Sequence, residues 1–304
     1  LTVPGGAPLP DAAAYLAWLL GDTVEPTIHP TAELLHIHGL LSLQQARLTG
    51  SPAFEAHLAS MRLEGAAWQL GALLLEGGID FLPLKGWDVA FRLYDDPALR
   101  PMSDLDLWVG GEGDFARGLT LLLDRGYSRV SDGEYDVSLV DPTGQALIEL
   151  HHGLDSRYRA RLTWDELWGR SRPWLWNGLA LRRMDPTDLW CYLAFHFGKH
   201  VGLQRRLMWL LDLHLLQRQS PVDPHAVVER AGRWRIQHAL RAAAWELKRL
   251  GLDHPPLDLP SLPAPFRGAP WDVGLFGRWR QVAYHLWIAD RLWDRLRYGW
   301  DQAT

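Results

Sequence analysis

Between about residues 79 and 152 the hydrophobic pattern changes period, and this change constrains the fold more than any other feature of the chain. On either side, apolar residues recur at steps of three and four, the spacing of helices that bury one face. Inside the block they form short runs that read as strands: Phe81 to Leu84, Leu105 to Val109, Tyr127 to Val130, Tyr135 to Val140 and Gln145 to His151. Trp87 to Tyr94 and Asp114 to Arg125 read as helices between them, the second stopped by Gly126. Asp141-Pro142-Thr143-Gly144 is a strong turn signal, which makes the last two strands antiparallel neighbours. The block is a small unit with a mixed sheet, and the chain as a whole is α+β.

The flanks are helical. Upstream the expected helices are Asp11 to Leu20, Thr31 to Arg47 and Pro52 to Glu76, the last with Ser51 and Pro52 at its start and Gly77-Gly78 at its end. Downstream they are Trp164 to Gly169, Pro186 to Lys199, Leu203 to Gln217, Pro224 to Gly232 and Ile236 to Leu250. Prolines exclude regular structure from Leu252 to Pro270. A final amphipathic helix, Val282 to Trp300, puts Val282, Leu286, Ala289, Trp293 and Leu296 on one face. That face suits its own domain best, and a protein partner or membrane surface next. The expected organisation is a helical region 1–78, an α/β core 79–160, a helical cleft region 161–250, and a Pro-rich strap with the last helix, 251–304.

Composition narrows the function. Thirty-one Lys and Arg against thirty-six Asp and Glu give a net charge of −5, so no overall basic field collects long nucleic acid. The single Cys191 makes no internal disulfide or thiolate cluster. No apolar run is long enough to span a membrane, and the first ten residues lack the pattern of an export signal, so the expected location is cytoplasmic. Seventeen Trp are expected mostly in packing positions.

Chemistry concentrates in Arg100-Pro101-Met102-Ser103-Asp104-Leu105-Asp106-Leu107-Trp108-Val109. Alternation along a strand puts Asp104 and Asp106 on one face and Leu105 and Leu107 in the core. Carboxylates so close repel unless a cation lies between them, and Mg²⁺, a hard ion that takes oxygen ligands, suits them. A solvated loop tolerates the same spacing. Glu149, within Ala146-Leu147-Ile148-Glu149-Leu150-His151, is a third acid amid apolar residues. If its strand lies beside the first, three carboxylates can hold two divalent ions about 4 Å apart, the clamp of phosphoryl transfer. The alternative is Glu149 as a solvated strand residue. His151 shares its face and can orient a carboxylate. Lys85-Gly86, between a strand and a helix, offers a positive charge and close backbone approach to a phosphate, or is a plain turn. Arg100 is a second phosphate contact or a partner of the neighbouring acids.

Taken together, Leu84-Lys85-Gly86, Leu93-Tyr94, Arg100 to Leu107 and Ile148-Glu149-Leu150-His151 resemble a bacterial family of uncharacterised nucleotidyltransferases, itself similar to a branch of the DNA polymerase β nucleotidyltransferase superfamily. In that superfamily the helix after the first strand usually opens with Gly-Ser, where this chain has Lys85-Gly86. The family pattern has an aromatic residue where this chain has His152. The resemblance implies a polymerase β-like core and Mg²⁺-dependent, or Mn²⁺-dependent, transfer of a nucleoside monophosphate from an NTP, with ATP expected, to an acceptor with release of pyrophosphate. It makes Asp104, Asp106 and Glu149 the catalytic metal ligands and places Lys85, Gly86, Arg100 and Ser103 at the nucleotide.

Leu193 to His200 and Arg206 to Asp212 also look like the family's helical region. His196, Lys199 and His200 share a helix face and are candidates for gripping the triphosphate or acceptor, or for a buried clasp to Asp212. The acceptor is a small molecule, a peptide or a protein. The rival readings are a metal-dependent phosphohydrolase or kinase, and a non-catalytic nucleotide-sensing or protein-interaction module.

Overall fold

A computed structural model of the chain describes residues 11–26, 29–32, 35–36, 39–155, 160–200, 207–260, 263, 266 and 283–288. The chain divides into two compact units, one comprising 51–156 with 162–185, the other 1–50, 157–161 and 186–304. Among the described residues no helix is long and apolar enough to cross a membrane.

The first unit opens with helix α3, Phe54–Glu76, the third in chain order after α1, Ala12–Leu19, and α2, Leu41–Thr49, of the other unit. Strand β1, Phe81–Pro83, runs directly into α4, Lys85–Leu93. A 3₁₀ turn, Pro97–Leu99, leads to β2, Asp104–Val109, and α5, Gly111–Asp124. Then come β3, Ser128–Asp132, β4, Asp136–Val140, β5, Leu147–His151, α6, Trp164–Arg170, β6, Arg172–Trp176, and β7, Leu179–Arg183.

Strands β1 to β5 form a mixed sheet in the order β1-β2-β5-β4-β3, with β2 and β5 parallel and the other pairs antiparallel. Alternation separates its faces. Leu105, Leu107 and Val109 of β2, Ile148 and Leu150 of β5, and Val137 and Leu139 of β4 enter one hydrophobic core. Leu63, Ala67, Leu70 and Leu74, one stripe of α3, cover that core together with Leu122 of α5. The intervening residues of β2 and β5 are thereby directed to the opposite face.

The hairpin between β4 and β5 forms as its turn residues require. Gly144 adopts φ +73° and donates its N–H to the Asp141 carbonyl at 2.9 Å. The Asp141 carboxylate accepts the N–H groups of Gln145 at 2.7 Å and Ala146 at 2.8 Å, and the Thr143 hydroxyl at 2.5 Å.

Several local readings change. The expected helix over 31–47 is interrupted at Gly39, where φ +73° lets the N–H of Leu40 return to the Leu35 carbonyl and end the turn before α2 begins. Helix α3 starts at Phe54, with Ala53 as its extended cap and no capping side chain, so Ser51 does not cap it. Between α6 and residue 186 lies a two-stranded sheet absent from the helical reading, closed by Asn177 at φ +46° and Gly178 at φ +83°.

In the second unit, α7, Pro186–His200, is followed by α8, Leu207–Gln219, α9, Pro224–Trp234, and α10, Gln237–Arg249. Every residue of α7 from Asp188 to Gly198 is buried, as expected of a helix apolar all round. Asp188, fully buried, pairs with Arg230 of α9 at 3.0 Å. Residues 201–206 and 289–304, including parts of two expected helices, lie outside the described residues. Within 283–288 the buried positions are Tyr284 and Ile288, and the Tyr284 hydroxyl donates to the Gly198 carbonyl at 2.9 Å. Leu286, expected on the buried face, is half-buried.

Candidate active site

Asp104 and Asp106 share the face of β2 opposite the hydrophobic core. Strand β5 lies parallel beside it, in a register that pairs Asp106 with Glu149 and Trp108 with His151. The strand pairing that brings Glu149 beside Asp106 is therefore present, while the group of close ligand atoms found among the described residues holds His151 and not Asp104. Ligand atoms of Asp106, Glu149 and His151 all lie within 4.8 Å of one another. His151 Nε2 is 3.1 Å from Asp106 Oδ1 and 3.5 Å from Glu149 Oε2.

Lys85 enters from the edge. Its Nζ donates to Asp106 Oδ1 at 2.7 Å, with the lysine side chain 18 % and the aspartate side chain 4 % exposed. The N–H of Leu84 donates to the Asp106 carbonyl at 2.9 Å, extending the β1-β2 ladder to the residue before Lys85. Lys85 then turns the chain with φ +36°, a left-handed conformation that a lysine adopts only when its surroundings impose it.

Electrostatics differentiate the acids. Burial pushes the Asp106 carboxyl up, but the Lys85 charge and the His151 hydrogen bond outweigh it, holding the group well below the usual carboxylate range. Asp104 moves the other way, pushed up to about 6 by burial and by the charges of Asp106 and Glu149, against Lys85 and a hydrogen bond with Ser103. Burial would depress His151, yet hydrogen bonds to Asp106 and Glu149 raise it. The face thus carries an ionised Asp106 beside a histidine that favours its proton.

Gly86 lies against the side chains that follow the 3₁₀ turn. A Cβ there would meet Arg100 Nη1 at 3.0 Å and Met102 Cγ at 3.1 Å, so only glycine allows this approach without displacement. Arg100 is itself buried. Lys85, Gly86, Arg100, Ser103, Asp104, Asp106 and Glu149 all belong to one compact unit. His196, Lys199 and His200 lie on α7 of the other. There His196 is buried, its ring 4.6 Å from that of His200 and 4.7 Å from Trp209 on α8, while Lys199 Nζ lies 5.8 Å from the Phe195 ring centre.

Sequence reasoning passes over the aromatic ladder beside the acids. Trp108, on the same strand face as Asp104 and Asp106, meets Trp164 edge to face at 5.7 Å; Trp164 stacks on Trp168 at 5.0 Å; and the Arg182 guanidinium lies 5.1 Å from the Trp168 ring. The four-residue spacing of Trp164 and Trp168 on a helix was the available signal.

A family model described as "uncharacterised nucleotidyltransferase" matches residues 14–251. No curated protein matches the chain. Among solved structures, the antibiotic-resistance factor ANT(2'')-Ia in solution is similar at 14 % identity and a TM-score of 0.44, over 62 % of this chain and 98 % of that one. The crystal structure of ANT(2'')-Ia with adenylyl-2''-tobramycin is similar at 14 % identity and 0.42, over 55 % and 94 %. An antigenic nucleotidyltransferase-like protein from Paracoccidioides brasiliensis is similar at 16 % identity and 0.40, over 64 % and 95 %. The family match runs through both carboxylate strands and most of the surrounding helices, and on that extent the chain belongs to the uncharacterised nucleotidyltransferase family.

Proposed function

We propose that this protein transfers a nucleoside monophosphate from an NTP, ATP in the first instance, to a nucleophile on a small-molecule, peptide or protein acceptor. The observation that carries the reading is the register of β2 and β5, which sets Asp106 opposite Glu149 with Asp104 on the same face. In the reaction the acceptor oxygen or nitrogen bonds to the α-phosphorus, the bond from that phosphorus to the β-phosphate bridging oxygen breaks, and pyrophosphate departs with the electron pair.

The donor set fits a hard divalent cation. Asp104, Asp106 and Glu149 offer oxygens, and the two buried residues of the cluster, Asp106 and His151, orient each other. Mg²⁺, or Mn²⁺ in its place, held by these acids would supply neutralisation of charge on the phosphoryl oxygens. Glu149, with a side chain 28 % exposed, is the acid best placed to accept the proton of the incoming acceptor. His151 holds Asp106 and Glu149 in orientation. The uncapped start of α4 at Lys85-Gly86, with Arg100 packed beside it, is the proposed seat of the triphosphate, and Ser103 steadies Asp104.

The test is Mg²⁺-dependent NTP binding and pyrophosphate release, measured for the wild type and Asp104→Asn/Asp106→Asn with each NTP and a pool of acceptors. The expected result is pyrophosphate release that the double substitution abolishes. Release of orthophosphate or a phosphorylated acceptor would assign the site to a hydrolase or kinase. Folded wild type that binds no NTP with metal would overturn the catalytic reading.

A further inference from the structure

Asp106 is the most deeply buried acid of the candidate site, and its Oδ1 already receives two nitrogen donors: Lys85 Nζ at 2.7 Å and His151 Nε2 at 3.1 Å. A buried carboxylate without a counter-ion is strongly destabilising, so the protein must satisfy it in the absence of any bound cation. Lys85 does so from an unusual position. It is the first residue of α4, it holds φ +36°, and its stem lies over the acid face instead of extending into solvent. A solvated turn lysine would need neither the strained backbone nor the contact with Asp106.

The same residue stands where a phosphate would approach. Helix α4 has no capping side chain, its second residue is a glycine packed closely on Arg100 and Met102, and its first carries the ammonium. Lys85 thus has two anionic destinations within the sweep of one side chain: the Asp106 oxygen and whatever anion docks at the helix start. A divalent ion and an ammonium drawing on one carboxylate oxygen repel each other, so both do not remain there.

We infer that Lys85 is the resident counter-ion of the acid face, holding Asp106 in the nucleotide-free protein and passing to the triphosphate when a metal–nucleotide complex binds, so that the divalent ion loads together with nucleotide and not ahead of it. The inference rests on the nucleotidyltransferase reading of the same site and deepens it by stating the order of loading. Its consequence is a site that stays neutralised and metal-poor until a donor is present.

The experiment titrates nucleotide-free protein with Mn²⁺, following unbound ion by electron paramagnetic resonance, for wild type, Lys85→Met and Lys85→Gly. Glycine suits the positive φ and guards against misfolding. Both variants should bind Mn²⁺ alone about tenfold or more tightly than wild type. Both should bind Mn²⁺ with a non-hydrolysable ATP analogue about tenfold more weakly. Equal or weaker affinity for Mn²⁺ alone in both variants overturns the inference. Asp106→Asn separates this failure from that of the parent reading: if Asp106→Asn takes up Mn²⁺ and the analogue as wild type does, the nucleotidyltransferase site itself is misassigned. If Asp106→Asn loses that uptake while the Lys85 variants match wild type throughout, only the order of loading is wrong.

Discussion

Arg92 grips Asp88 one helical turn earlier with two parallel hydrogen bonds, Nε to Oδ1 at 3.0 Å and Nη2 to Oδ2 at 2.8 Å, and Asp88 is completely buried. The same Nη2 donates to the Met184 carbonyl at 2.9 Å just beyond β7. Helix α4, whose first residue is Lys85, is thereby tied to the hairpin sheet. Burial pushes the Asp88 carboxyl up despite Arg92 and Arg183, so the ionised form depends on its partners. Arg92→Ala should cost about 3–5 kcal/mol, because it strands a buried charge. Arg92→Met/Asp88→Leu should recover much of that loss in chemical denaturation, and equal losses in the single and double variants would contradict this account.

Glu149→Gln and Asp106→Asn preserve shape and remove charge. Each should lower pyrophosphate release by roughly two orders of magnitude or more, as expected when a group that stabilises transferring charge is lost. Thermal unfolding should separate them. Asp106→Asn removes the anion that anchors both Lys85 and His151 and should shift the midpoint, whereas Glu149→Gln, more exposed, should shift it little. An Asp106→Asn variant that retains wild-type turnover would exclude this carboxylate from the chemistry.

Gly110 follows β2 and lies against the indole of Trp164, and a Cβ at that position would overlap the ring. Gly110→Ala should therefore cost about 1–3 kcal/mol through overpacking and disturb the Trp108–Trp164 contact. Trp164→Leu in the Gly110→Ala background should relieve part of that cost, a coupling that a double-mutant cycle reads directly. Strict additivity would show that the glycine is required for some other reason.

The β4-β5 turn makes a pH-dependent prediction. Burial acts to raise Asp141, but the Thr143 hydroxyl and the N–H groups of Ala146 and Gln145 prevail and lower its carboxyl. A lowered folded-state value means that the contribution is fully present above the unfolded carboxylate value of about 3.9 and is lost as pH falls through the folded value. Asp141→Ala should cost about 1–3 kcal/mol at neutral pH. The gap in melting temperature between wild type and variant should narrow as pH falls from the unfolded carboxylate value through the lowered folded one. A gap that does not narrow at all on acidification would mean that ionisation of Asp141 contributes nothing.

The alternation Asp104-Leu105-Asp106-Leu107 was legible because period two and an apolar core leave only one way to seat that strand. The turn at Asp141 was equally legible, its chemistry being local. What brings Glu149 opposite Asp106 is a register between strands about forty residues apart in sequence, and no local signal states it. The positive φ of Lys85 was not legible either, since nothing in Leu84-Lys85-Gly86 distinguishes a strained lysine from a solvated one until Asp106 lies beneath it. The hairpin at Asn177-Gly178 was not foreseen, because its strands, Arg172–Trp176 and Leu179–Arg183, interrupt a stretch dominated by helical spacing. Gly39 falls inside the expected helix Thr31 to Arg47, and the structure uses its positive φ to end a turn there.

The two faces of β2 have an implication for how this chain tolerates change in length. Added residues in a loop such as that between β3 and β4 alter only the connection. One residue added within Asp104–Val109 would exchange the faces beyond it, carrying an aspartate toward the core and a leucine toward the acids. Such a molecule would lose its core and the proposed site together. A screen for foldedness alone would therefore also discard register-shifted versions of this strand, because the geometry that seats the leucines is the geometry that presents the acids.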